Sequence, residues 1–323
     1  MRSVIRRTTT ALIGASLVLT AVATAPATAV GQEAAAITCN SSGAGGKALY
    51  PGPSAGTVYD SKFVPANDLT KPVLSEGYIP QGMGTWENWD GAGNDLILIS
   101  LYTEHPTVRG YAGRIYGIEA GTSRVLGPVD IKSKHAGGIA VVNGWVFVPG
   151  GNNRSMNKYK ATDLAAKFKT PGKQSLAPNG PAQKVKGASF LTGYGDELYT
   201  GHFEKDRMYV YKVNKDGNLK QITAYVTPDK TQGVMVTDTH FVYSTSHDRK
   251  KPSNIYVVAH GKNINDRSAK CFQAPSMSEG ITDYDGTTWL LYESGATKYH
   301  DARNVIKNLH RASTADLPNF TAG

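Results

Sequence analysis

The stretch Thr231-Gln232-Gly233-Val234 recurs in outline at four other places in the chain, and this repetition decides the fold. Each copy places a residue before a glycine, then an alternating apolar run, a turn and further strand-like runs. The reference glycines of the five copies are Gly82, Gly138, Gly187, Gly233 and Gly280. Their spacings of 56, 49, 46 and 47 residues are close to the ~40–50 residues of a four-stranded propeller blade. The sequence therefore predicts an all-β chain, a β-propeller of five four-stranded blades.

The two ends of the repeat indicate how the ring closes. The fifth copy supplies only three strands, the last near residues 305–309, whereas residues 72–80 precede the first copy with the character of a fourth strand. We expect this N-terminal strand to complete the C-terminal blade, because closure removes both exposed sheet edges. The expected organisation is an N-terminal arm over 30–71 and one propeller domain over 72–323. Additional strands within 40–71 would raise the blade count to six.

The N-terminus predicts export. Arg2, Arg6 and Arg7 form a positive region, residues 11–22 an apolar one, and Ala27-Thr28-Ala29 a small-residue cleavage site. This order is that of a secretory signal peptide over residues 1–29. The twin arginines leave Sec and twin-arginine export both open. The sequence therefore predicts a secreted, extracellular protein.

Composition narrows the range of partners. The formal charge of +9 for the chain becomes 9 − 3 = +6 without the three signal arginines, and the basic residues are scattered among acidic ones. A nucleic-acid partner is therefore not expected, and no apolar run is long enough to predict a membrane span. The expected partner is a polar small molecule, a glycan or an extracellular protein, and the chain is expected to be a monomer.

The two cysteines, Cys39 and Cys271, predict a disulfide, because an exported chain enters an oxidising compartment. Cys39 lies upstream of the predicted closing strand and Cys271 in the last strand of the fourth blade. A bond between them would hold the N-terminal arm at the ring closure. Two buried free thiols are the alternative.

The repeat alignment also names candidate site residues. Gln81, Lys186, Gln232 and Glu279 precede their reference glycines, and His135 lies close to the same position in the second copy. We expect them to surround one mouth of the central channel. Loops between second and third strands should rise on the same face and are where function gathers. They contribute His202, Arg207, His247, Glu293 and Arg303. A shared ligand-binding site and merely solvated loops both remain open, and no catalytic residue is assigned.

Glu279 supports an alternative function. The Glu279-Gly280 pair resembles part of the first motif of the senescence-marker-protein-30 and gluconolactonase family, which are metal-dependent propeller lactonases. That resemblance implies a divalent cation and a hydrolase that uses Glu279 and nearby histidines. However, the equivalent positions carry Gln81, Lys186 and Gln232, and not the carboxylates that such an ion favours. No cofactor is therefore predicted, and a divalent cation stays the alternative.

Longer stretches of the chain resemble secreted actinobacterial propeller-like proteins whose functions are mostly unassigned. The likeness extends over residues 50–313 and is carried by residues 78–83, 86–91, 230–234, 241–246, 274–280 and 292–296. It implies fold and secretion and does not name an activity. We expect a non-catalytic binding protein with its ligand at the channel mouth. The alternatives are the hydrolase, and a modulator of a secreted protease or a transglutaminase substrate.

Overall fold

The computed structural model describes residues 37–41, 48–106 and 108–319. The predicted signal peptide lies outside these residues. The described chain begins with a short helix, α1 (Thr57–Lys62), and an edge strand, β1 (Val64–Asp68). No helix among the described residues is long and apolar enough to cross a membrane.

The strands then form four-stranded antiparallel blades in chain order, and one inserted strand adds a parallel fifth strand to the sheet of blade 1. Blade 1 contains β2 (Ile79–Trp86), β3 (Leu96–Tyr102), β4 (Gly113–Glu119) and β5 (Val125–Ile131). Blade 2 contains β6 (Ala140–Val142), β7 (Trp145–Pro149) and β8 (Ser155–Lys160). An insert follows β8 and consists of helix α2 (Ala161–Lys169) and strand β9 (Gln174–Leu176). The two-residue strand β10 (Gln183–Lys184) then pairs with β8 and completes blade 2.

Blades 3 and 4 are regular. Blade 3 contains β11 (Phe190–Tyr194), β12 (Glu197–His202), β13 (Arg207–Val213) and β14 (Leu219–Val226). Blade 4 contains β15 (Thr231–Val236), β16 (His240–Thr245), β17 (Ser253–Ala259) and β18 (Lys270–Ala274). Blade 5 contains β19 (Ser278–Tyr284), β20 (Thr287–Tyr292) and β21 (Asn308–Ser313).

Strand β1 supplies the fourth strand of blade 5. It pairs antiparallel with β21, with Val64 opposite Arg311 and Ala66 opposite Leu309. The predicted β-propeller of five four-stranded blades, closed by an N-terminal strand on the C-terminal blade, is thus confirmed.

The predicted position of the closing strand was wrong. Residues 70–76 form turns, and Ile79 and Pro80 already belong to β2, the innermost strand of blade 1. Val73 and Leu74 are buried, so the apolar residues that suggested a strand pack as a turn between blades 1 and 5. The strand inside residues 40–71 is β1, which fills blade 5 and adds no sixth blade.

Apolar clusters between neighbouring blades form the core. Blades 1 and 2 bury Leu98 against Val146, and blades 3 and 4 bury Tyr199 against Phe241. Between blades 4 and 5 the cluster includes Tyr59 of α1. The N-terminal segment is therefore part of the core and not a loose arm.

The predicted disulfide is confirmed. Cys39 and Cys271 are bonded, with their Cα atoms 4.4 Å apart. Next to it, Asn40 forms a bridge with Phe272 on β18. The N-terminal segment is thereby attached to blade 4, the neighbour of the blade that β1 completes.

Candidate functional site

Glycines allow the innermost strands to meet at the centre of the ring. A Cβ added to Gly82 would lie 2.3 Å from the Gly138 Cα, and one on Gly280 would lie 2.4 Å from the Met83 nitrogen. A Cβ on Gly233 would lie 2.5 Å from the Glu279 carbonyl oxygen. The reference glycines of these copies are therefore required by backbone contact between blades, and the site must lie beyond this contact, at the mouth.

In each of these inner strands, the pairing shifts register at the residue before the glycine. The pairing of β2 shifts between Pro80 and Gly82, and that of β15 between Thr231 and Gly233. The pairing of β19 shifts between Ser278 and Ile281. A bulge of this kind redirects a side chain. It frees Gln81, Gln232 and Glu279 from the regular alternation of their strands.

These three side chains converge through Glu293, which follows β20. The Gln81 Nε2 donates to Glu293 Oε2 over 2.8 Å, and the Gln232 Nε2 donates to Glu279 Oε1, also over 2.8 Å. The carboxyl groups of Glu279 and Glu293 hydrogen-bond each other. Blades 1, 4 and 5 are thus joined at the mouth by one carboxyl pair with an amide on each side.

Burial sets the protonation of this pair. Glu279 is 1 % exposed, and burial, followed by the charge of Glu293, raises its pKa well above the ordinary value. Burial also raises the pKa of Glu293 to about 7, although its hydrogen bonds with Glu279, Gln81 and Tyr299 lower it. A hydrogen bond between two carboxyl groups itself requires a proton. The pair therefore holds at least one proton near neutral pH.

Two tyrosines connect the pair to the open face. The Tyr299 hydroxyl hydrogen-bonds both Glu293 and the Tyr102 hydroxyl. Burial raises the pKa of Tyr102 to about 12. The Tyr102 ring packs on His135, with ring centroids 4.6 Å apart. Desolvation and the nearby Lys298 lower the pKa of His135, which favours its neutral form.

A cavity of about 1140 Å³ opens at this mouth, and we call it the mouth cavity. Its wall comes from the loops and strand starts of blades 1–4, including Tyr102, His135, Asn152, Ser189, Phe203 and Gln232. Tyr102 and Gln232 are shared between this wall and the hydrogen bonds around the carboxyl pair. The carboxyl pair therefore lies one side chain behind the wall.

Charged side chains on the wall are mostly cationic. Lys134 and Arg154 line it. The wall carboxylate, Glu104, lies 2.5 Å from the Lys298 Nζ, and this ion pair lowers the pKa of Glu104. The wall thus combines cations, amides and aromatic rings, a mixture that suits a polar ligand.

Of the predicted ligand-binding residues, Gln81, Gln232, Glu279, Glu293 and His135 lie together at the mouth cavity or directly behind it. Five others are elsewhere. His202 is buried and its Nδ1 accepts from the Glu204 N–H of its own loop. Arg207 and His247 are exposed, and Arg303 donates its backbone N–H to the Arg249 carbonyl. None of these four, nor Lys186, is on the wall of the mouth cavity.

The position of Lys186 corrects the repeat alignment in the third copy. Its side chain is exposed, with Nζ 5.6 Å from the Tyr209 ring centroid. Gly187 faces Gly201 of its own blade and not a neighbouring inner strand. Ser189, directly before β11, lines the cavity in its place. The insert and the two-residue β10 shift the start of blade 3, so counting back from a glycine misplaced this residue.

Sequence reasoning missed Tyr102, Tyr299, Lys134, Ser189 and Phe203. Tyr102 is the last residue of β3, and Tyr299 lies in a 3₁₀ turn (Thr297–Tyr299). Neither tyrosine occupies a repeat position. Only Lys134 and Phe203 had a signal in the sequence, because they lie beside the predicted site residues His135 and His202.

No group of three or more His, Cys, Asp or Glu side chains that could hold a metal ion occurs within residues 37–41, 48–106 and 108–319. The pair Glu279–Glu293 has amide and phenol neighbours instead.

Comparisons with known proteins add little to the geometry. No family model matches the chain, and no curated protein matches it. Among solved structures, the chain is similar to a glutaminyl cyclase of Myxococcus xanthus, with 9% identity and a TM-score of 0.46 over 77% of this chain and 93% of that one. It is also similar to a hydrazine synthase of Kuenenia stuttgartiensis, with 12% identity and a TM-score of 0.39 over 66% of this chain and 56% of that one. At these scores neither likeness bears on function, and the propeller rests on its strand pairing.

Proposed function

We propose that this chain is an extracellular binding propeller that holds a polar ligand in the mouth cavity. The observation that carries the proposal is the cavity itself, about 1140 Å³ in volume and bounded by loops of four blades. This is at or just above the upper end of the size of small-molecule sites. Amides, a hydroxyl and an imidazole converge on it from Gln232, Asn152, Ser189 and His135.

Two further observations support the proposal. The Ser189 Oγ is buried and has no hydrogen-bond partner among the described residues, so it is free to bind a ligand group or a water molecule. The Cys39–Cys271 bond supports the extracellular location, because such bonds persist in oxidising compartments.

The test is ligand-observed NMR of the purified protein with a panel of polar sugars, amino acids and organic acids. Ser189→Trp and Asn153→Trp each place a large side chain at the cavity wall, and Ser61→Trp on the exposed face of α1 is the control. We expect saturation transfer to at least one panel member, lost in both cavity variants and kept in the control. Binding that persists in both cavity variants would contradict the proposal.

The carboxyl pair favours a second candidate function, an acid–base hydrolase. Two interacting carboxyl groups with raised pKa values are typical of proton-transfer sites. Here Gln232 and the two tyrosines lie between the pair and the cavity, which is why binding ranks first. The test is hydrolysis of glucono-δ-lactone followed by acid release. A rate above background that Glu279→Gln removes and Glu87→Gln keeps would replace the binding proposal.

A further inference from the structure

Among the described residues, two cations on the wall of the mouth cavity form no ion pair. Lys134 and Arg154 line its wall, and neither forms an ion pair with another described residue. The carboxylate on the same wall, Glu104, is held by Lys298. The Glu279–Glu293 pair lies behind Gln232 and Tyr299. Glu204, which is near His202 together with Arg154, is not on the wall. The cavity itself therefore presents net positive charge.

The two cations belong to one side of the cavity. The Lys134 N–H donates to the Gly150 carbonyl over 3.3 Å, at the start of the loop that ends in Arg154. Asn152 and Asn153 of that loop also line the cavity. An ammonium and a guanidinium on adjoining segments can donate charge-assisted hydrogen bonds to one carboxylate, and the planar guanidinium matches its two oxygens.

The rest of the wall suits an uncharged, polar body. Tyr102 packs on His135, Phe203 adds a second aromatic surface, and Gln232 and Ser189 supply hydrogen-bonding groups. The volume of about 1140 Å³ is large enough for two linked sugar or amino-acid units.

We infer that the ligand is a carboxylate-bearing molecule of two such units, with its carboxylate bound between Lys134 and Arg154. This inference rests on the proposed function and names its ligand class. Uronic disaccharides and acidic dipeptides both have this size and carry such a carboxylate. Lys134 and Arg154 would bind the carboxylate of either one in the same way.

The experiment is isothermal titration of the full mature protein at pH 7 with matched pairs. The probes are digalacturonic acid against neutral galactobiose, and N-acetyl-Glu-Glu-amide against the uncharged N-acetyl-Gln-Gln-amide. The variants are Lys134→Ala, Arg154→Ala and the double substitution. The control is Lys220→Ala with Lys262→Ala, because both lysines are exposed and away from the cavity wall.

We expect one acidic probe to bind at least roughly tenfold more tightly than its neutral partner, and each single substitution to weaken it by about tenfold. Its affinity should fall between 20 and 300 mM NaCl, because salt screens exposed charges. The control should match the wild type. The pair that shows the preference identifies the source as saccharide or peptide.

Three results would overturn the inference. If a neutral probe binds as tightly as its acidic partner, or the double variant keeps full affinity, the cavity still binds and only the ligand class is wrong. If no probe binds the wild type, the inference fails. The proposed function is then decided by the wider NMR panel, so the two failures are distinguishable.

Discussion

Glu279 and Glu293 hydrogen-bond each other at the mouth of the propeller, and the Gln232 and Gln81 amides donate to Glu279 Oε1 and Glu293 Oε2. Both residues lie at the open end of the β19–β20 hairpin, Glu279 near the start of β19 and Glu293 directly after β20, and the amides come from blades 4 and 1. The interaction therefore joins three blades, and it depends on a proton.

The first prediction follows from that proton. Both carboxyl pKa values are raised in the folded protein, so the folded state retains protons that the unfolded state releases. The pair's stabilisation is fully present below the ordinary glutamate pKa. It is lost as pH rises through the folded values, about 7 for Glu293. We expect the free energy of unfolding to fall by roughly 3 kcal/mol or more from this source. Urea denaturation from pH 4.5 to 8 measures it.

Glu279→Gln should flatten that dependence, because the new amide donates to an ionised Glu293 without needing a shared proton. Glu87→Gln, at an exposed position, should leave the slope unchanged. An equal slope in wild type and Glu279→Gln would show that the pair does not carry the proton.

The second prediction concerns His310, which is fully buried between α1 and blade 5. Its Nδ1 lies 2.6 Å from the Tyr59 hydroxyl, and its Nε2 has no partner among the described residues. Burial lowers its pKa to about 4. Stability from this group is present above the ordinary histidine pKa and lost as pH falls through 4, by about 3 kcal/mol.

His310→Phe should remove this acid dependence, at the cost of the hydrogen bond to Tyr59. The measurement is urea denaturation between pH 7 and 4, and an acid limb as steep in the variant as in the wild type would contradict the assignment.

The third prediction concerns the disulfide, whose cysteines are 232 residues apart in sequence. Closing so long a loop in the unfolded chain stabilises the fold by about 5 kcal/mol in the chain-entropy model. We expect Cys39→Ser with Cys271→Ser to lose most of that amount in urea denaturation, and reduction of the wild type to match it. A loss under about 1 kcal/mol would show that the N-terminal segment is held by its apolar contacts alone.

The fourth prediction tests the contact between inner strands. Gly82→Ala places a Cβ 2.3 Å from the Gly138 Cα, which neither backbone can avoid cheaply. We expect a loss of about 3 kcal/mol. Gly151→Ala is the matched control, because a Cβ there meets nothing within 4 Å, and it should change stability by less than about 0.5 kcal/mol. Comparable melting temperatures for the two variants would argue against a close-packed centre.

The repeat made much of this fold predictable from sequence. Inner strands need a glycine where they contact the neighbouring blade, so glycines recur in the sequence about once per blade. The closing strand was not located correctly, because β1 reads Val-Pro-Ala-Asn-Asp, an exposed edge with little apolar alternation. Residues 72–76 form turns instead, with Val73 and Leu74 packed in the apolar cluster between blades 1 and 5.

The candidate site was predictable only in part. Gln81, Gln232 and Glu279 share a repeat position, so their convergence follows from the alignment. The contact between Glu279 and Glu293 does not follow from the alignment, because it depends on the backbone conformation of the residues directly after β20. The α2–β9 insert sends β9 to pair in parallel with β5 of blade 1, and this non-local pairing displaced the third copy enough to misassign Lys186.

Hydrogen–deuterium exchange with and without the tightest-binding of the four titration probes shows where on the propeller the ligand binds. If the mouth cavity is the functional site, protection falls at residues 102–104, 134–135, 151–154 and around Gln232. A second cavity, of about 440 Å³, lies at the opposite ends of the strands beside Asp238 and Asp283. Protection at that cavity, with none at the mouth, would show that the mouth cavity is not the functional site.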